Sequence, residues 1–169
     1  MSSDVEKKGK TAFTNWHLAK AVAKKRHANH VAAGNLSPRL YDDPHTEESI
    51  GIFGELEFAK KYNLYPDLEN RIWGDVTDFL IGKKPWKLDV KVARNPHKLL
   101  IKDWEVGKSD VYVLGHFIQQ GDEHPSVKWL GFEFATVLKR LPKVKGKFGF
   151  NKMVLSKDLK PMSRLEGVL

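Results

Sequence analysis

The chain has 169 residues, no cysteine and a formal net charge of +8 at pH 7, with a pI near 9.5. That length suits one domain burying about two-thirds of its unfolded surface, and the lack of cysteine excludes disulfides and thiolate zinc sites. No apolar stretch reaches transmembrane length and no apolar h-region follows the start, so a soluble, cytoplasmic protein with no membrane partner is expected; the basic excess favours a polyanionic partner.

Met1–Lys10 is polar and reads as a disordered N-terminus (residues 1–10), ahead of a single domain over residues 11–169 with no repeat or linker. Phe13–Ala33 lacks Pro and Gly and is rich in Ala and Lys, which predicts a helix ended by Gly34-Asn35. On its wheel Lys20, Lys24 and His27 share a strip with His17, while Ala12, Trp16, Ala19 and Ala23 lie to one side. The strip is either a phosphate-contacting surface or a solvated basic face. His17, His27 and His30 lack the carboxylate or third-histidine support of a helical zinc site and read as surface histidines.

Ser37–Pro44 is a loop, with Pro38, Asp42-Asp43 and Pro44 as punctuation. A second helix is expected from Thr46 as N-cap, with Glu47 and Glu48 in its first turn. Ile52, Leu56, Ala59 and Tyr62 form an apolar arc on its wheel; Glu55 falls inside that arc and Glu57 on the opposite, wet side. A carboxylate on a buried face needs a partner, because desolvating it alone costs several kcal/mol. A basic side chain, a metal or metal-bound water would each serve. Tyr62–Trp73 is a connection, and Asp67 and Asp75 read as loop or turn residues.

The chain is organised around Gly74–Arg94, GDVTDFLIGKKPWKLDVKVAR, where two short apolar runs flank Gly82-Lys83-Lys84-Pro85 and predict a hairpin. Alternation in the second run puts Lys87, Asp89, Lys91 and Ala93 on one face and Leu88, Val90 and Val92 on the other, the pattern of a half-solvated strand. Folding the pair about Lys84 brings Asp78 level with Asp89 or Val90. Two close carboxylates repel and raise a pKa, a cost that a divalent cation removes. The stretch therefore reads as a metal site.

After Arg94 the chain turns at Asn95-Pro96, and Leu99–Ile101 forms a short strand or brief helix. Lys102–Ser109 is polar, Val111–Ile118 reads as a buried central strand, and Gly121–Pro125 turns into a strand over Val127–Phe132. Ala135–Leu141 looks helical and is stopped by Pro142. Lys143–Gly149 is a basic, glycine-bearing loop, either a phosphate contact through Lys145 and Lys147 or merely a flexible loop; Met153–Leu155 is a last strand, and Ser156 caps a short final turn. The order of elements predicts an α/β (α+β) fold with a mixed central β-sheet flanked by helices.

Asp78, then Asp89-Val90-Lys91 after a short loop, with Gly54-Glu55 on a preceding helix, resembles the PD-(D/E)xK nuclease superfamily over about Ile50–Ile118, with Thr77 where the first motif usually carries Pro. The resemblance implies a restriction-endonuclease-like core and a metal-dependent endonuclease that hydrolyses phosphodiester bonds of nucleic acid, DNA foremost, in a phage, restriction, repair or recombination setting. It implies Glu55, Asp78, Asp89 and Lys91 as catalytic residues, and Asp78, Asp89, Glu55 and the Val90 carbonyl as metal ligands. Oxygen ligands without cysteine favour Mg²⁺, with Mn²⁺ as substitute. Lys87 and Arg94 join Lys20, Lys24, Lys145 and Lys147 as candidate nucleic-acid contacts, and a homodimer is compatible with this reading. The alternative is a non-catalytic nucleic-acid-binding protein that retains the nuclease fold.

Overall fold

The computed structural model describes residues 14–32, 34, 44–66, 77–121 and 124–169. Met1–Lys10, Ala12, the loop ahead of Pro44, Asp67 and Asp75 lie outside them. The chain begins with α1 (Asn15–Ala32) and α2 (Pro44–Tyr62). Gly34 adopts φ +75° and its N–H donates to the Val31 carbonyl at 3.0 Å, the left-handed residue that ends a helix with no Cβ penalty. Where Thr46 was expected as N-cap, α2 already starts at Pro44. Proline suits that place, since its φ is fixed near the helical value and its missing N–H would have no partner in the first turn anyway.

The hairpin forms as expected from β1 (Phe79–Ile81) and β2 (Trp86–Ala93). They join β4 (Val111–Ile118) and β5 (Ser126–Phe134) in a four-stranded sheet of order β1-β2-β4-β5. β2 and β4 run parallel and the other neighbours antiparallel, so the sheet is mixed. A second sheet was not foreseen. It pairs β3 (Lys98–Lys102), β7 (Gly149–Leu155) and β6 (Val144–Gly146) antiparallel, in the order β3-β7-β6. Lys143–Gly149 is thus a hairpin closed by the Gly146↔Gly149 pair, not a loop: the glycines mark its tight turn. Short helices α3 (Ala135–Arg140) and α4 (Met162–Glu166) complete the fold. Ser156 opens a 3-10 turn, Ser156–Asp158, in which no side chain caps, so its expected capping role fails. No helix among the described residues is long and apolar enough to cross a membrane.

The apolar side chains divide by face. Phe58 and Ala59 of α2 pack on Leu88, Val90, Val111 and Val113, the face that alternation assigned to the core. Ala19 and Ala23 of α1 join Ile52, Phe53 and Phe117 beside them, with Trp16 edge-on to Phe53 at 5.6 Å between centroids. On the other face Tyr112 and Leu114 meet Leu99 and Ile101 of the second sheet and Ala135 and Leu138 of α3. The mixed sheet is therefore covered on both sides, by the long helices and by the second sheet with α3.

One glycine sets how close α2 lies. A Cβ on Gly54 would fall 2.2 Å from Val92 Cγ2, far inside van der Waals contact, so the absence of a side chain lets the helix rest directly on β2 and holds the neighbouring Glu55 there. Gly54→Ala should lift the helix and destabilise the protein by about 1–3 kcal/mol, the usual cost of overpacking, although alanine has the better helix propensity. Thermal melting checks this; an unchanged or raised Tm would show that the helix–strand contact yields.

Candidate active site

In the β1–β2 hairpin Phe79 pairs with Leu88, which sets the preceding Asp78 opposite Asp89. The Asp78 N–H donates to the Leu88 carbonyl at 2.9 Å, and its Oδ2 accepts the Val90 N–H at 2.6 Å. A side chain thus completes the ladder just beyond the first residue of β1. Because N–H and C=O of one strand residue point to the same side, the Val90 carbonyl is directed towards Asp78 as well.

Asp89 is only 3 % exposed. The expected half-solvated face of β2 is in fact buried at Asp89, where β4 lies alongside with Tyr112 in register. Lys91 Nζ stands 2.8 Å from Asp89 Oδ2. The approach lies outside hydrogen-bond geometry, so that buried oxygen has charge compensation but no hydrogen bond.

Burial, then the charges of Glu55 and Asp89, push Asp78 well above the usual carboxylate range, against the opposing Val90 N–H. Burial also raises Asp89, although Lys91 and a hydrogen bond from Asp78 pull it down. The two carboxyls titrate as an interacting pair, both held above the usual carboxylate range. Burial works against the Lys91 ammonium, but Asp89 first, then Glu105 and Asp78, outweigh it and hold Lys91 above its ordinary value.

The wheel separation of Glu55 from Glu57 does not survive. Both are half-buried, and Glu57 Oε1 accepts from Asn15 Nδ2 of α1 at 2.8 Å. With α1 on one side and the sheet on another, α2 has two covered faces and no simple wet side. Glu55 acts on Asp78 through its charge. Among the described residues no three His, Cys, Asp or Glu side chains converge into a metal-binding group.

Glu105 was missed. It lies in the β3–β4 loop, and its charge acts on both Asp89 and Lys91. No periodicity marks it, since the loop is shaped by a buried hydroxyl: Tyr112 Oη donates to the Glu105 carbonyl at 2.7 Å and accepts the N–H groups of Gly107 at 3.2 Å and Ser109 at 3.3 Å. The same loop meets Thr77, whose Oγ1 lies 3.4 Å from the Lys108 carbonyl and 3.1 Å from Ser109 Oγ.

The chain matches no protein-family model, no curated protein and no solved structure.

The six candidate basic residues are spread over different elements. Lys20 and Lys24 are exposed on α1, in the helical layer, with Lys20 Nζ 5.5 Å from the Trp16 ring. Lys145 and Lys147 are exposed on the β6–β7 hairpin, in the opposite layer. Lys87 is exposed on β2. Arg94 Nε lies 3.9 Å from Glu47, and its guanidinium 6.0 Å from the Phe117 ring centroid, so it has structural partners.

A pH dependence follows from the buried pair. A carboxyl whose folded pKa exceeds its unfolded one keeps a proton that the unfolded chain has already released, so folding stability falls as pH rises through that interval. In metal-free buffer, Asp78→Asn should therefore gain stability relative to the original protein on going from about pH 5 to about pH 8. Denaturant titrations at both pH values check the sign; a relative loss at the higher pH would show that Asp78 is ionised without strain.

Proposed function

We propose that the protein is a divalent-metal-dependent nuclease, with a restriction-endonuclease-like core, hydrolysing phosphodiester bonds of nucleic acid, DNA foremost. The observation that carries this reading is the apposition of Asp78 and Asp89 inside the fold beside Lys91. Neither carboxylate gains stability from the other, and desolvated like charges are costly.

The residues present fit a hard cation. Asp89 Oδ2 is a buried oxygen without a hydrogen bond, Asp78 stands opposite Asp89 across the hairpin, and the Val90 carbonyl is directed to the same side. Asp78, Asp89 and that carbonyl would hold Mg²⁺, or Mn²⁺ in its place, with water completing the shell and Glu55 nearby. When bound, the cation supplies Lewis acidity to the phosphoryl oxygens and acidifies water. Lys91 then has two duties. Its ammonium orients the attacking water and stabilises the negative charge that grows on phosphorus-bound oxygen. Hydrolysis adds water across one P–O bond, leaving a phosphomonoester on one fragment and a hydroxyl on the other.

A second reading, a non-catalytic nucleic-acid-binding protein with the same fold, is favoured by the 2.8 Å Lys91–Asp89 pair, which balances one carboxylate by itself. Incubation of linear, supercoiled, branched and single-stranded nucleic acids with Mg²⁺, then with Mn²⁺, separates the two. Under the nuclease reading, Asp78→Ala and Asp89→Ala each lose cleavage and calorimetric Mn²⁺ binding while remaining folded. Undiminished Mn²⁺ binding in both variants would end the metal assignment.

Lys91→Ala should cut the cleavage rate by about a hundredfold or more with little change in substrate affinity, as expected for a charge used in the transition state. Weaker binding with an unchanged rate would recast Lys91 as a phosphate clamp.

A further inference from the structure

Trp104 is 60 % exposed, an unusual place for the largest aromatic side chain. A loose loop does not account for it. The flanking Asp103 N–H donates to the Phe150 carbonyl at 2.9 Å, and the Glu105 N–H to the Lys102 carbonyl at 2.8 Å. The Asp103 carboxylate pairs with Lys143 at 2.7 Å. The backbone on both sides of the indole is thus tied down, one side to the second sheet and the other to the Tyr112 hydroxyl. Two cations attend the ring: Lys108 Nζ lies 4.1 Å from its centroid and Lys102 Nζ 5.4 Å.

The loop also abuts the candidate centre. Lys108 and Ser109 touch Thr77, the residue before Asp78, and Glu105, next to Trp104, acts on Asp89 and Lys91. A fixed, exposed indole attended by two lysines, at the edge of a site suited to phosphodiesters, has the makings of a nucleotide contact: a flat ring for a base, and ammonium groups on flexible stems that can leave the ring for its phosphates. A base inside a duplex offers no free face, since both are covered by its stacked neighbours. Only an unpaired base can lie on the ring.

We propose that Trp104, with Lys102 and Lys108, is a stacking platform for an unpaired nucleobase at the edge of the Asp78–Asp89 centre, so that the protein takes single-stranded or locally unpaired nucleic acid. This rests on the nuclease reading of that centre and names the form of substrate it accepts.

The test measures binding by the full chain in metal-free buffer, so that it does not depend on cleavage. The probes are a fluorescently labelled oligothymidylate of about twelve nucleotides and a blunt mixed-sequence duplex of equal length, near the span of a single-strand-binding groove. Trp104→Ala should weaken oligothymidylate binding by about tenfold or more, the scale of one lost base–aromatic stack, and leave duplex binding within about twofold. Trp104→Phe should recover most of the loss. Replacing both Lys102 and Lys108 by Gln should flatten the salt dependence of binding. Melting curves confirm that the variants fold; Trp104 and Lys108 are exposed and Lys102 is half-buried at the end of β3. The platform is refuted if Trp104→Ala binds oligothymidylate like the original protein, if the original protein does not bind it at all, or if both probes lose equally. A protein that binds through Trp104 but cleaves nothing under Mg²⁺ or Mn²⁺ would instead sink the nuclease reading and leave the platform standing.

Discussion

The arrangement depends on one substitution of partners at the start of β1, where a carboxylate takes the place of a strand residue. Asp78 satisfies the Val90 N–H with Oδ2 while its own N–H bonds to the Leu88 carbonyl. This double tie explains why a residue outside the regular ladder is held as firmly as one within it. It also fixes the carboxylate against Asp89, whatever the two charges prefer. The repulsion is tolerated because the bonds and the register are not free to relax.

Layering turns that local geometry into a chemical environment. β2 is an interior strand, flanked by β1 and β4 and covered on one face by α2, while the second sheet covers the other face of the neighbouring β4. Asp89 therefore lies in a medium where charge is expensive and where Lys91, Glu55 and Glu105 act on the pair with little screening. The close seat of α2 at Gly54 places Glu55 within range of Asp78. Packing and electrostatics meet at this one helix–strand contact.

The site was legible where chemistry follows local periodicity. The hairpin, the level placement of Asp78 and Asp89, and Lys91 on the same face as Asp89 come from alternation and a turn signal. The mixed sheet and the burial of Val111–Ile118 were also readable, from an apolar run too continuous for a half-wet strand. What failed depended on partners far along the chain. Asp89 is buried in register with Tyr112 of β4, a placement that no pattern within β2 announces. Glu57 looked wet because a wheel has one centre, whereas α2 is pressed by α1 as well as by the sheet. The β6–β7 hairpin was masked by its own glycines and lysines, which resemble a loop until β3 is known to pair with β7. Glu105 entered through a tertiary hydroxyl contact, invisible to spacing.

The Tyr112 hydroxyl divides the β3–β4 loop into two parts with different latitude for change. Glu105–Ser109 is gathered by that hydroxyl onto β4, the strand beside the one that carries Asp89. Asp103 is moored instead to Phe150 and Lys143, at the outer hairpin. Substitutions at the exposed Lys145, Lys147 and Phe148 of the outer hairpin would therefore alter the charge and shape of the outer surface without touching a residue that the Tyr112 hydroxyl holds. The outer surface and the surroundings of the aspartates are fastened to different strands, so a change at one is not handed on to the other through this loop.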